Sequence, residues 1–320
     1  MKRLFKTAAV AFGLVAALAF VGQAKAEVPE TDEPIKIAIN DWNSQYITSY
    51  IIGGVFERLG YSVEYVQADA MAQFAGIETG DLDVQVEIWP TTQGDRFAAS
   101  LATANLLDMG ELGLFAREEW WFPEYMKEQC PGLPNWEALK EPSCAAAFAT
   151  AETGENGRYL AGPATWEGFD EERVESLGIP YVVVHAGSDA AMWAEAESAY
   201  QRQAPILQWF WVPHWWPAVY KGEFVEFPAY TTECYNDPAW GINPEQAYDC
   251  GKPKGAMHKA ASAVGEAKWP KAYDVFRKMQ FDDETYSKLI YRADVDGEDP
   301  KAVAEDWIAT NESYWKPWTE

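Results

Sequence analysis

The chain has 320 residues, 48% of them apolar and 15% aromatic, the composition of a globular protein with a substantial core and not of a disordered or fibrous one. Its formal charge is −25 at neutral pH, and a surface of that sign repels nucleic acid and anionic lipid. Past the first residues no apolar run is long enough to span a bilayer.

The opening MKRLFKTAAVAFGLVAALAFVGQAKA joins a basic start (Lys2, Arg3, Lys6) to an apolar run over 7–21, with small residues at Ala24 and Ala26. This is the pattern of a secretory signal peptide, residues 1–26, cut before Glu27. The leader takes four positive charges and no acid with it, which moves the charge to −29 and leaves 294 residues. The mature product is expected free in the periplasm. KIAIN (36–40) then reads as a strand, and 44–61 as a helix with Ile47, Tyr50, Ile51 and Val55 at helical spacing and Gly60 as its stop. SVEYVQ (62–67) alternates like a strand, and 73–89 reads as a short helix, a turn and another strand.

This strand–helix alternation predicts an α/β fold with a parallel sheet. A second set follows: CAAAFATA (144–151) and YVVVHAG (181–187) as strands, 190–203 as a helix and PILQWFW (205–211) as a strand. The stretch 227–255 is loop-rich, and 300–315 is helical with Val303, Trp307 and Ile308 on one face. Four cysteines permit three pairings. In an oxidising compartment the expected one is local, Cys130 with Cys144 and Cys234 with Cys250, each closing a short proline-punctuated loop as a structural staple.

Signatures of common enzymes are missing: no G-x-S-x-G, H-E-x-x-H, Walker A or G-x-G-x-x-G pattern occurs. His185, His214 and His258 are too scattered for a zinc site, and DVDGED (294–299) carries its glycine too early for an EF-hand. Neither a metal nor a cofactor is expected. What stands out is tryptophan at strand ends: Trp42, Trp89, Trp166 and Trp211 each follow or close a strand-like segment. Ligands of α/β sheets bind outside the carboxyl ends of strands, so these indoles point to a cleft. A carbohydrate-active enzyme with indole platforms is a rival reading, but no carboxylate pair supports it.

The chain resembles the glycine betaine/proline betaine-type substrate-binding proteins of ABC transporters. The resemblance is carried by INDWNSQ (39–45), GYSVEYV (60–66), GDLDVQVEIWP (80–90), the run 185–216 ending QWFWVPHWW, CYNDPAWGINPEQAYDCGKPKGA (234–256) and the tail ESYWKPW. It implies a two-lobed α/β periplasmic-binding-protein fold, type II-like, with a two-strand hinge and a ligand cleft. The expected lobes are 27–118 with 222–320, and 119–221. It also implies a monomer that delivers a small methylated amine to a membrane permease.

Carried across, the family's aromatic box falls on Trp89, Trp166 and Trp211, with Trp42 as a fourth wall and Trp121 in WWFP as a reserve candidate. Trp209, Trp215 and Trp216 are expected to pack. A trimethylammonium head has no N–H to donate and spreads its charge over methyl groups, so indole faces suit it better than a carboxylate does. Betaine-binding members hold the ligand carboxylate beside a Trp-Gly-Cys stretch, whereas this chain reads Trp166-Glu167-Gly168. A glutamate there would repel a carboxylate. When protonated, or through a water that it holds, it could instead meet the single oxygen of trimethylamine N-oxide, or it could serve only as a helix N-terminal carboxylate. Trimethylamine N-oxide, as in the members most similar to this chain, is therefore the favoured ligand. Glycine betaine is next, then choline, carnitine or dimethylsulfoniopropionate.

Overall fold

Three short apolar runs, each followed by a helix, begin the chain as read from the periodicity. The structure is a computed structural model that describes residues 28–320; the expected leader lies outside the described residues. Strand β1 (Ile35–Ile39) is followed by helix α1 (Asn43–Arg58), then β2 (Val63–Gln67), α2 (Gln73–Thr79), β3 (Val84–Ile88) and α3 (Pro90–Ala102). The three strands are parallel in the order β2-β1-β3. On α1 the buried face includes Ile47, Ile51 and Val55. The chain leaves that helix through Gly60 at φ 98°, a left-handed value that glycine tolerates without strain.

The next strand, β4 (Leu106–Pro123), is 18 residues long. After the short β5 (Pro131–Pro134) come β6 (Gly157–Ala161), β7 (Tyr181–His185), β8 (Gln208–Val212), β9 (Gly222–Phe224) and β10 (Lys254–Ser262). One sheet runs β2-β1-β3-β10-β4-β8-β6-β7, with β9 beside β4. The first half of β4 pairs antiparallel with β10, and its second half with β8 and β9. Thus β4 carries the chain from one parallel set to the other, and β10 brings it back. These are the two hinge strands of a two-lobed fold, and the clefts of such folds open at the carboxyl ends of the parallel strands.

Two expectations are corrected. CAAAFATA is not a strand: Pro142–Phe148 is a helix with proline in its first turn and alanines, strong helix formers, inside it. The strand of that region is β6, in a stretch left unassigned. The segment 300–315 is two helices, Pro300–Thr310 and Glu312–Thr319, divided at Asn311, though Val303, Trp307 and Ile308 are buried as read. Residues 222–251 reach both expected lobes: β9 extends the far end of β4, Arg173 Nε donates to the Cys250 carbonyl (2.9 Å) and Asn243 Nδ2 to that of Ser176 (2.9 Å), while Tyr230 and Tyr235 line a pocket with Met71 and Pro90. Both local disulfides, Cys130–Cys144 and Cys234–Cys250, are formed.

Candidate functional site

The residues at the carboxyl ends of β1, β3, β6 and β8 converge. Trp42 caps the start of α1, and Trp89 links β3 to Pro90 at the first turn of α3. Trp166 ends the short turn after β6, and Trp211 closes β8. All four line one cavity, together with Trp209, Glu118, Ala70, Thr92 and Gln93. It holds about 330 Å³ of empty space, its mouth included.

The indoles stand nearly at right angles. Trp166 meets Trp42, Trp211 and Trp209 at centroid distances of 5.7, 5.6 and 6.0 Å, and Trp89 meets Trp211 at 6.4 Å, with interplanar angles of 73–77°. Edge-to-face packing suits the aromatic quadrupole and leaves ring faces turned toward the enclosed space, where parallel stacking would hide them.

Four of the five walls donate their N–H to a carboxylate. Trp42 and Trp89 share Glu87 Oε2 (2.9 and 3.2 Å), Trp166 reaches Asp41 Oδ1 (2.8 Å) and Trp209 reaches Glu118 Oε1 (3.1 Å). The buried N–H of Trp211 has no partner among the described residues. Lys252 lies behind the box, its Nζ 4.2 Å from the Trp209 ring centre, held by the Gly168 carbonyl and Asp170. Among the described residues no Lys, Arg or His lines the cavity.

Glu118, on hinge strand β4, is the ionisable group that faces the space. Only 6% of it is exposed, and its second carboxyl oxygen accepts from Thr91. Burial pushes its carboxyl up to about 7 against the pull of Lys252. A group so placed can carry or lack a proton near neutrality, and can donate to an oxygen in the cavity or repel one.

Two expected site residues are elsewhere. Glu167 follows Trp166 in a left-handed turn (φ 53°), is exposed, and does not line the cavity, because the indole takes the inward direction of that turn. Trp121 is buried against Phe210 and Trp216 on the opposite face of the sheet, since the two-residue period of β4 sends Glu118 and Trp121 to different sides. Conversely Trp209, expected to pack, is a wall. Its spacing of two from Trp211 on one strand puts both on one face, and that was the available signal.

The second half of QWFWVPHWWP makes a separate contact between lobes. Asp294, ending the helix Asp283–Asp294, accepts from Trp215 Nε1 (2.7 Å) and from Asn43 Nδ2 (2.7 Å), and lies 3.3 Å from His214 Nε2. His214 Nδ1 accepts the Trp216 backbone N–H (3.3 Å), which leaves the proton on Nε2, toward Asp294. Burial lowers the His214 pKa, so the ring is held neutral.

Residues 33–310 match the family described as the substrate-binding domain of ABC-type glycine betaine transport systems. The chain belongs to that family. It is a substrate-binding protein of a quaternary-amine ABC transport system, extracytoplasmic in class, and not an enzyme. It is 33% identical over 314 residues, 96% of each chain, to the trimethylamine N-oxide-binding protein of Pelagibacter ubique (strain HTCC1062). Two solved structures show the same fold at low identity. The glycine betaine/L-proline-binding protein ProX from Borrelia burgdorferi is 19% identical, with a TM-score of 0.70 over 90% of this chain and 97% of that one. Lactococcal OpuAC, closed on glycine betaine, is 16% identical, with a TM-score of 0.69 over 90% and 100%. Among the described residues no helix is long and apolar enough to cross a membrane.

Proposed function

We propose that this protein is the periplasmic receptor of an ABC importer for trimethylamine N-oxide, held in a cage of Trp42, Trp89, Trp166, Trp209 and Trp211 with Glu118 as partner of the N-oxide oxygen. The cage suits any trimethylammonium head; Glu118 carries the choice of ligand. A ligand carboxylate would meet a buried acid and no basic side chain, while a single N-oxide oxygen, an acceptor only, can take the proton of a neutral Glu118. The relative that binds trimethylamine N-oxide supports the same choice. Lobes that close about β4 and β10 would seal the cage and present the closed form to the permease.

Glycine betaine is the second reading, favoured by one observation. Thr92 lines the cavity in the first turn of α3, a 13-residue helix, where a backbone N–H without an intrahelical partner could receive a carboxylate.

Calorimetric titration at pH 6 and pH 8.5 separates the two. If protonated Glu118 donates to the N-oxide, affinity for trimethylamine N-oxide falls as pH rises through about 7, and Glu118→Gln, which always has an N–H to donate, flattens that dependence. A parent protein that prefers glycine betaine at both pH values overturns the choice of ligand and leaves the cage standing.

A further inference from the structure

Glu87 does not line the cavity, yet it touches two of the cage walls. It is the fourth residue of β3, is fully buried, and collects five donors. Oε2 accepts from Trp42 Nε1, Trp89 Nε1 and Ser44 Oγ (3.0 Å), and Oε1 from Thr48 Oγ1 (2.9 Å) and Tyr286 Oη (3.0 Å). A carboxylate only accepts, and five donors fill its lone pairs. An indole N–H can never accept, so a proton on the carboxyl would have to displace one of the hydroxyl donors. The arrangement favours the charged form. Burial opposes it and raises the pKa, and no cationic side chain pairs with Glu87 among the described residues. A buried charge without a counter-ion is costly, so this one is left waiting for a positive partner.

We propose that Glu87 is the counter-charge of the cage: an ionised carboxylate that holds Trp42 and Trp89 by their N–H edges and acts through their rings on a cationic head. Two effects add. A carboxylate on an indole N–H pushes electron density into the ring, which deepens the negative face that a cation meets. Its charge also reaches across the ring through a dry interior where screening is weak. Glu87 is thus a positioning residue with an electrostatic duty, distinct from Glu118, which faces the ligand itself. The proposal rests on the reading that the cage takes a methylated ammonium head, but not on which one.

The test compares two probes of nearly equal shape, tetramethylammonium and the neutral tert-butanol, each titrated to saturation by tryptophan fluorescence, at molar concentration where needed. Glu87→Gln keeps the size of the side chain and removes its charge. The expected result is a loss of tenfold or more for tetramethylammonium with less than a twofold change for tert-butanol. Equal losses for both mean that Glu87 only props up the walls, and the proposal is overturned; so does an unchanged affinity for both. If neither probe enters the parent cage, the reading of the ligand class falls first and this proposal falls with it. Should the Gln variant not fold, Thr48→Val with Tyr286→Phe removes two donors and makes Glu87 easier to protonate. Affinity for tetramethylammonium should then drop more steeply on acidification than in the parent, with tert-butanol unaffected. Identical pH profiles for the two proteins overturn the proposal.

Discussion

The two halves of QWFWVPHWWP use the same side chain in opposite ways. Trp209 and Trp211, on β8, line the cavity with their rings, and the N–H of Trp209 goes to Glu118 within the same wall. Trp215, four residues further on, points its N–H across the cleft to Asp294 and packs its ring against Tyr291 of the same facing helix (5.5 Å). A face recognises a ligand by shape and charge, whereas an edge donates one directed hydrogen bond between lobes. The first half should therefore govern which ligand binds, and the second how readily the lobes close on any ligand.

The largest effects should come from the cage. Trp89→Ala, Trp166→Ala and Trp211→Ala each remove a desolvated wall worth up to about 2 kcal/mol. Each should weaken binding about tenfold or more in calorimetry, while the circular dichroism spectrum stays that of the parent. Three folded variants that bind like the parent would put the site elsewhere.

The contact at Asp294 should cost less and cost it evenly. Asp294→Ala removes the hydrogen bond from Trp215 that joins the lobes, with a net worth of about 1.5 kcal/mol in a shared cluster. Because the closed population scales every affinity by one factor, trimethylamine N-oxide and glycine betaine should weaken by the same ratio. A change in their ratio would collapse the distinction between the two halves.

A third effect falls on stability against pH and not on binding. Asp189, at the start of the helix Asp189–Gln201, accepts the Asn43 backbone N–H (3.4 Å), and burial together with Asp294 pushes its carboxyl up to about 8. Between about 4 and 8 the folded chain holds a proton that the unfolded chain has released, so this group stabilises the fold least at the alkaline end. Asp189→Asn should gain thermal stability relative to the parent as pH rises from 5 to 8. Melting curves that shift in parallel across that range would contradict the assignment.

Much of the fold is legible because β1, β2 and β3 alternate with helices in plain periodic order. The Pro142–Phe148 helix is not, since a short apolar run fits a strand and a buried helix equally well. Trp42, Trp89, Trp166 and Trp211 stand out for their place at strand ends. Glu118 is invisible by the same logic: it sits beside Glu119 in β4, and nothing local says that one faces a ring of indoles while the other meets Arg173 (3.0 Å). That choice depends on pairing with β8, some ninety residues later in the chain. Glu167 misleads for the converse reason, being adjacent in sequence to a true wall while its own backbone turns it outward.

The register of β4 carries one more consequence. Its pairing with β10 ends where Lys254 faces Arg117, and its run along β8 begins at that same Arg117, opposite Val212. Glu118 is the next residue, so it sits almost on the axle about which the lobes would swing. A point on an axle hardly travels, whereas Trp42 and Trp89 would move with the first lobe. A ligand arriving in the open cleft would therefore find Glu118, Trp209 and Trp211 already in place, a fixed berth, and the remaining walls would come to it.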